Sequence, residues 1–119
     1  MNDIKDNAIK IKSYKFALDI VNLNKKLIDK REYVLSRQLL KAGTSIGANV
    51  EEALAASSRK DFAHKMSIAS REARESSYWL RLLKDSNYLE ESEAYPLLER
   101  VDELIRILTA IVKTSGKNM

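Results

Sequence analysis

The sequence predicts an all-α fold, an antiparallel up-down-up-down four-helix bundle, and three observations carry that expectation. The 119 residues include only three Gly and one Pro, too little turn material for an all-β or α/β chain, which needs a tight turn every ten or so residues. Apolar residues recur at spacings of four and three in four separate stretches, the period of a helix that buries one face. The breaks between the stretches span only a few residues, and short connections make consecutive helices antiparallel neighbours. At 13.6 kDa and 45% hydrophobic residues, the chain has material for one core and not for two.

The first helix is expected over Ser13–Asp29, with Ser13 as its N-cap and Phe16, Ile20, Leu23 and Leu27 forming one apolar stripe. Tyr14, Leu18, Val21 and Ile28 form a neighbouring stripe, so the apolar face is wider than one two-helix contact requires. Residues 1–12 hold Ile4, Ile9 and Ile11 but no capping signal, and are expected to form a flexible N-terminal arm.

The second helix is expected over Glu32–Ala56, where Leu35, Leu39, Ala42, Ile46, Asn49, Ala53 and Ala56 make an unbroken 4-3 seam with one polar member. The third opens after the Ser57-Ser58 break, with Ser58 and Asp61 spaced as a capping box, and runs to Asp85. Phe62, Met66, Ala69, Ala73, Ser76, Leu80 and Leu83 are its seam, while Ile68, Trp79 and Leu82 sit off it. Acids between Ser86 and Ser92 favour a helix amino end, and Pro96 is expected in the opening turn of the fourth helix. Leu97, Val101, Leu104, Leu108 and Ile111 form its stripe, with Leu98, Ile105 and Val112 beside it. The bundle therefore spans 13–115, and 116–119 are expected to be a disordered tail.

Several function classes fall away on composition. The absence of Cys removes disulfides, thiolate nucleophiles and cysteine metal sites together, and points to a reducing, cytoplasmic setting. No run of about 18 apolar residues is present to cross a bilayer, and the amino end lacks the apolar block of a secretory signal. No membrane partner is expected.

A bundle's usual chemistry, a di-iron carboxylate site, requires two Glu-x-x-His pairs; this chain has one His, His64, and no metal site is expected. A phosphate-binding loop, a nucleophile–His pair and a dinucleotide fingerprint are all missing. Glu51 and Glu52 are adjacent, hence about 100° apart round a helix, and do not converge as an acid–base pair. No catalytic residue and no cofactor is expected, and the chain reads as a non-enzyme.

Two kinds of surface remain. The formal charge is +4 and the pI about 9.3, and the charge is uneven. Residues 10–41 carry nine Lys and Arg against three acids, whereas residues 85–103 carry seven acids against Arg100 alone. On the first helix Lys12, Lys15 and Lys26 share a face; on the third, Arg74 and Arg81 flank Tyr78. Basic residues interleaved with an aromatic suit a nucleic-acid backbone, and these five are the candidate phosphate contacts. Self-association is the second expectation. Gly43 and Gly47 are one turn apart and each lowers helix propensity by about 1 kcal/mol, which close backbone approach would recover. Two readings of that approach stand equal: intrachain packing against Trp79 or another large side chain, or a contact between subunits. Together with the off-seam apolar residues they give Gly43, Gly47, Ile68, Trp79 and Leu82 as the candidate oligomer interface. Asn49, in its apolar seam, needs a hydrogen-bond partner and is expected to act structurally, as a register-fixing buried Asn.

The run QLLKAGTSIGANVEEALAASSRKDFAHKMSIASREARES resembles the signature of the four-helix-bundle proteins encoded in intervening sequences of bacterial 23S rRNA genes. That signature reads Gln-Leu-basic-basic-Ala, Ser-Ile-x-x-Asn-Ile-Ala-Glu-Gly, a Ser-x-x-Asp/Glu-Phe opening and an Ala-x-x-Ser-x-x-Glu helix. Gln38, Leu39, Lys41, Ala42, Ser45, Ile46, Asn49, Glu52, Ser58, Phe62, Ala69 and Glu75 match it in order, and the resemblance extends over about Ser13 to Ser115. It implies a homopentameric ring of bundles without catalytic activity. It also implies kinship with the accessory variability determinant of diversity-generating retroelements, a basic pentamer that works with a reverse transcriptase and nucleic acid. Members are often labelled ribosomal proteins, although nothing in the resemblance places this chain in mature ribosomes. The family's Ala-Glu-Gly is here Glu51-Glu52-Ala53; the helix-ending Gly is missing, so the second helix is expected to continue to Ala56, and the added acid works against an anion site there.

Two functions follow. The leading one is a non-enzymatic ring, pooling modest positive charge from its copies, that binds RNA or DNA backbone without sequence preference. The rival is a protein-binding scaffold whose apolar grooves and acidic fourth helix dock a partner such as a reverse transcriptase.

Overall fold

The structure, a computed structural model, describes residues 4–117. Four helices follow one another, α1 (Ile4–Asp29), α2 (Val34–Leu54), α3 (Arg59–Asp85) and α4 (Glu91–Lys117), with no strand among the described residues. Each helix packs on its two neighbours round a square, and the backbones of the diagonal pairs, α1–α3 and α2–α4, nowhere approach within 8 Å. Neighbours are antiparallel: Lys12 meets Glu103 and Asp19 meets Arg100, so residue number falls along α4 as it rises along α1. Helices of 26 and 27 residues should run about 40 Å, and the molecule measures 46 × 20 × 18 Å.

The core follows the 4-3 pattern closely on α3 and α4. All seven seam residues of α3, Phe62 to Leu83, are buried, as are Leu97, Val101, Leu104, Leu108 and Ile111 of α4. Leu98, Ile105 and Val112 pack half-buried against that core. Ser58 caps α3 as its spacing predicts, accepting the Asp61 N–H at 3.1 Å. On α2 the buried stripe is Leu39, Ala42, Ile46, Val50 and Ala53. Val50 takes the central position and Asn49 lies half-buried at its edge, where its Nδ2 donates to the Ser45 carbonyl of its own helix at 2.9 Å. That bond meets the Asn's need without a partner on another helix.

The element ends differ from expectation in five places, one being the start of α2 at Val34 rather than Glu32. α1 starts at Ile4, not Ser13, so residues 4–12 are helix rather than arm, and residues 1–3 lie outside the described residues. The reason is Ile9: it is fully buried and extends the Phe16–Ile20–Leu23–Leu27 stripe by two turns, and burial of an aliphatic side chain outweighs the missing cap. Ser13 is correspondingly an interior residue, buried with its Oγ donating to the Lys10 carbonyl. α2 ends at Leu54, two residues before Ala56. α4 starts at Glu91, which puts Pro96 inside the helix rather than in its opening turn. Helix α4 also continues through Lys117, so Gly116 and Lys117 are not part of a disordered tail; residues 118–119 lie outside the described residues.

The first connection is held by a motif that spacing did not reveal. Arg31 has φ 62°, and Arg31 and Glu32 donate backward to the carbonyls of Ile28 (2.8 Å) and Leu27 (2.9 Å), a Schellman closure of α1. The chain then delivers the buried Glu32 carboxylate to the amino end of α2, where it accepts the N–H groups of Leu35 (3.0 Å) and Ser36 (2.6 Å). The carboxylate thus both satisfies orphan donors and faces the positive end of the helix dipole.

Candidate nucleic-acid and self-association surfaces

Position along the bundle follows from the wheel of each helix. On α1, Lys12, Lys15 and Lys26 lie on the flank toward α4, and all three are exposed. Lys12 Nζ pairs with Glu103 Oε2 at 3.0 Å, with both side chains more than 40% exposed, a surface pair worth about 0–1 kcal/mol. Lys15 and Lys26 make no ion pair among the described residues. Lys26 overhangs a shallow groove of about 230 Å³ between α1 and α4, shared with Asn22, Pro96 and the Arg100–Asp19 pair. On α3, Arg74 Nη2 donates to Thr109 Oγ1 at 3.2 Å. Arg81 Nε donates to the Ser77 carbonyl, and its guanidinium stands 5.9 Å from the centre of the Tyr78 ring. Neither arginine has a carboxylate partner among the described residues, so both keep their charge available at the surface.

The five cations nevertheless do not form one patch within a chain. α1 and α3 are diagonal; Lys12 reaches α4 from one side and Arg74 from the other. The outer face of α4, where Glu99, Asp102 and Arg106 are exposed, stands between the two basic edges.

The two glycines are accounted for inside the chain. Gly43 is buried, and a Cβ there would stand 2.9 Å from Ile20 Cγ1 and 3.0 Å from Cγ2. Gly47 lies over Ser13, whose carbonyl and hydroxyl oxygens are each 3.4 Å from the corresponding position. Both glycines therefore serve the approach of α2 to α1, and the neighbours they meet are Ile20 and Ser13 rather than Trp79. Of the two readings held equal, intrachain packing accounts for Gly43, buried against Ile20, and for the α1-facing side of Gly47, which is half-buried over Ser13.

The other candidate interface residues are placed differently. Ile68 and Trp79 are half-buried and Leu82 is exposed, with Tyr78 exposed beside them. The Tyr78 and Trp79 rings meet edge to face at 5.0 Å, and Trp79 Nε1 donates to Glu75 Oε2 at 3.1 Å. Next to this stripe, burial first and Glu75 second hold the Glu72 carboxyl above its ordinary range, against the opposing pull of Lys41 and Arg71.

A second apolar face runs along the outside of α1, and the arm expectation concealed half of it. Ile4, Ile11, Tyr14, Leu18 and Ile28 are all exposed, on the solvent side of the helix. The signal was in the sequence: Ile4, Ile11 and Leu18 are seven apart, as are Tyr14, Val21 and Ile28, which is a second heptad seam on one helix.

The residues weighed for acid–base chemistry are not brought together in one site among the described residues. His64, Glu51 and Glu52 are exposed, and Glu52 is engaged with Lys65 Nζ at 3.3 Å. No group of three or more His, Asp or Glu among the described residues is placed to hold a metal ion. No helix among them is long and apolar enough to cross a membrane.

Comparison with known proteins adds two findings. A family model described as 23S rRNA-intervening sequence protein matches residues 5–110. Among solved structures, the chain is similar to a protein of unknown function from the S23 ribosomal protein family of Bacteroides thetaiotaomicron VPI-5482, determined by crystallography at 1.70 Å; the two are 44% identical, superpose with a TM-score of 0.90, and share 92% of this chain and 99% of that one. No curated protein matches.

Proposed function

The chain belongs to the 23S rRNA-intervening sequence protein family, and from that premise we propose that it is a non-enzymatic, self-associating helical bundle of the bacterial cytoplasm that binds the backbone of RNA or DNA. One observation carries the reading: the core leaves out the exposed Ile4, Ile11, Tyr14, Leu18 and Ile28 of α1 and the exposed Tyr78 and Leu82 of α3. Contiguous apolar surface left over from a finished core is characteristic of proteins that associate. The pentameric ring that the family resemblance implies would repeat Lys15, Lys26, Arg74 and Arg81 five times. Repetition compensates for the separation of the two basic edges within a single chain, because phosphate contacts that are weak singly multiply when presented together.

The test has two parts. Sedimentation at micromolar concentration should give a species several times heavier than the 13.6 kDa chain; a lone chain would sink the ring. Binding to labelled RNA and single-stranded DNA should weaken steeply with salt, with a log–log slope of about −0.7 per phosphate neutralised on single strands. Charge reversal of Lys15 and Lys26 together should cost at least roughly tenfold in affinity and flatten the slope. Absence of binding even at low salt would remove the nucleic-acid role. The exposed acids of α4 favour a second reading, a scaffold that docks a basic protein such as a reverse transcriptase. In that case affinity for the partner falls on reversal of Glu99 and Asp102 and is unaffected at Lys15.

A further inference from the structure

Three of the chain's five tyrosines collect at one end of the bundle, where α1 and α3 finish and α2 and α4 begin. Tyr33 is 51% exposed, Tyr88 38% and Tyr95 49%, so these rings contribute little to the core. The opposite end, at the 55–58 turn, carries no exposed aromatic among the described residues.

Two of the rings are flanked by cations. Lys84 Nζ stands 5.3 Å from the centre of the Tyr95 ring. Lys30 Nζ donates to the Tyr88 carbonyl at 3.0 Å, which ties the end of α1 to the connection between α3 and α4; bonded to a neutral oxygen, it keeps its charge. Lys26, one turn before Lys30, overhangs the groove beside Pro96, the residue after Tyr95. Tyr88 is presented by a closed turn: Asn87 has φ 69°, and the N–H groups of Tyr88 (2.9 Å) and Leu89 (3.3 Å) both donate to the Leu83 carbonyl. Along the rest of the bundle the outer face of α4 keeps the cations of α1 and α3 apart. Across its amino end they come together, on either side of two exposed rings.

We propose that this end of the bundle holds single-stranded nucleic acid, with bases stacked on Tyr88 and Tyr95 and backbone phosphates against Lys26, Lys30 and Lys84. The inference rests on the nucleic-acid role read above and names the kind of strand. Phosphate contacts alone do not tell a duplex from a single strand. An aromatic ring takes only a base whose own face is free, and within a duplex both faces of each base are already stacked. The dimensions fit: the short axes of the molecule are 20 and 18 Å, and at about 3.4 Å per nucleotide the end accommodates roughly five. Exposed Glu90 and Glu91 share this end and oppose phosphate, as Asp85 does by pairing with Lys84 at 3.3 Å. An acidic peptide would meet the same carboxylates without a base to stack, which favours the nucleic-acid strand as occupant.

Fluorescence anisotropy with the full-length protein tests the assignment, using labelled oligo(U) and oligo(dT), a duplex of the same length, and an abasic strand that keeps the phosphates and lacks the bases. The single strands should bind more tightly than the duplex and the abasic strand. Tyr88→Ala and Tyr95→Ala should each weaken single-strand binding about fivefold or more; Tyr88→Phe and Tyr95→Phe should bind as the parent, and none of the four should change binding of the abasic strand. Lys30→Gln with Lys84→Gln should flatten the salt dependence, and Glu90→Gln with Glu91→Gln should tighten binding. Should an alanine variant fail to fold, the parent decides: a duplex or abasic strand held as tightly as the single strand overturns the assignment. If the tyrosine variants bind like the parent while charge reversal of Lys15 and Lys26 weakens binding, the stacking end is overturned and the nucleic-acid role stands. Absence of binding to every strand at low salt overturns both. Polyglutamate that displaces oligo(U) and is itself lost in Tyr88→Ala overturns the assignment in favour of an acidic protein.

Discussion

Gly43 and Gly47 occupy equivalent positions on successive turns of α2, yet substitution should separate them. An alanine methyl at Gly43 would be 2.9 Å from a carbon of Ile20, a side chain that is wholly buried and, being β-branched, has no spare rotamer into which to retreat. Overpacking of this kind costs about 1–3 kcal/mol, more than the roughly 1 kcal/mol of helix propensity that Ala gains over Gly. Gly43→Ala should therefore lower stability by about 1 kcal/mol net, seen as a fall in Tm of about 4 °C. At Gly47 the nearest atoms are 3.4 Å away, ordinary contact, so Gly47→Ala should raise stability by about 0.5–1 kcal/mol. Urea titration of both variants would check the contrast, and a destabilised Gly47→Ala would mean that α1 sits closer to α2 there. The sequence alone announced that both glycines had to be explained; the identity of the neighbour, Ile20 in one case and Ser13 in the other, required the packed structure.

At the scale of whole elements, the amino ends of α2 and α4 carry the testable chemistry. Glu32 is buried and accepts two backbone N–H groups; hydrogen bonds to a charged acceptor are each worth more than neutral ones, and buried donors left without a partner are costly. Glu32→Ala should cost about 2 kcal/mol, measurable by chemical denaturation, with Glu32→Gln losing less because one acceptor oxygen remains. No spacing rule points to Glu32: it lies before the N-cap position, Tyr33, and reaches α2 only because Arg31 turns the chain through positive φ. Pro96 gives the opposite sign. It sits exposed in the second turn of α4, where it lacks the N–H that would bond the Ser92 carbonyl and its ring crowds that group. Pro96→Ala should add about 1–2 kcal/mol, less than the ~3 kcal/mol cost of an interior Pro because Pro also stiffens the unfolded chain; an unchanged Tm would show that the turn already accommodates the ring. The sequence reading put Pro96 in an opening turn because that is where Pro is least costly, but the buried Leu89 and Ala94 draw the chain into the bundle earlier.

For the molecule as a whole, the thermodynamic signature of assembly is concentration dependence. A bundle stabilised by association with its copies must melt higher as protein concentration rises, by mass action. The Tm of the parent should increase over a hundredfold concentration range while that of Leu18→Glu stays constant; a constant Tm in the parent would argue for an independent monomer. Sequence by itself determined the fold class, the number of helices and nearly the entire buried set of α3 and α4, because a 4-3 repeat specifies which residues share one side of a helix. Tertiary structure alone decided which of the two apolar stripes of α1 turns inward, what the glycines meet, and that the outer face of α4, with Glu99, Asp102 and Arg106 exposed, separates the cations of α1 from those of α3. The physical reason is that periodicity fixes angles about a helix's own axis, whereas the direction of a face relative to other helices is set by how four rods fill a common core.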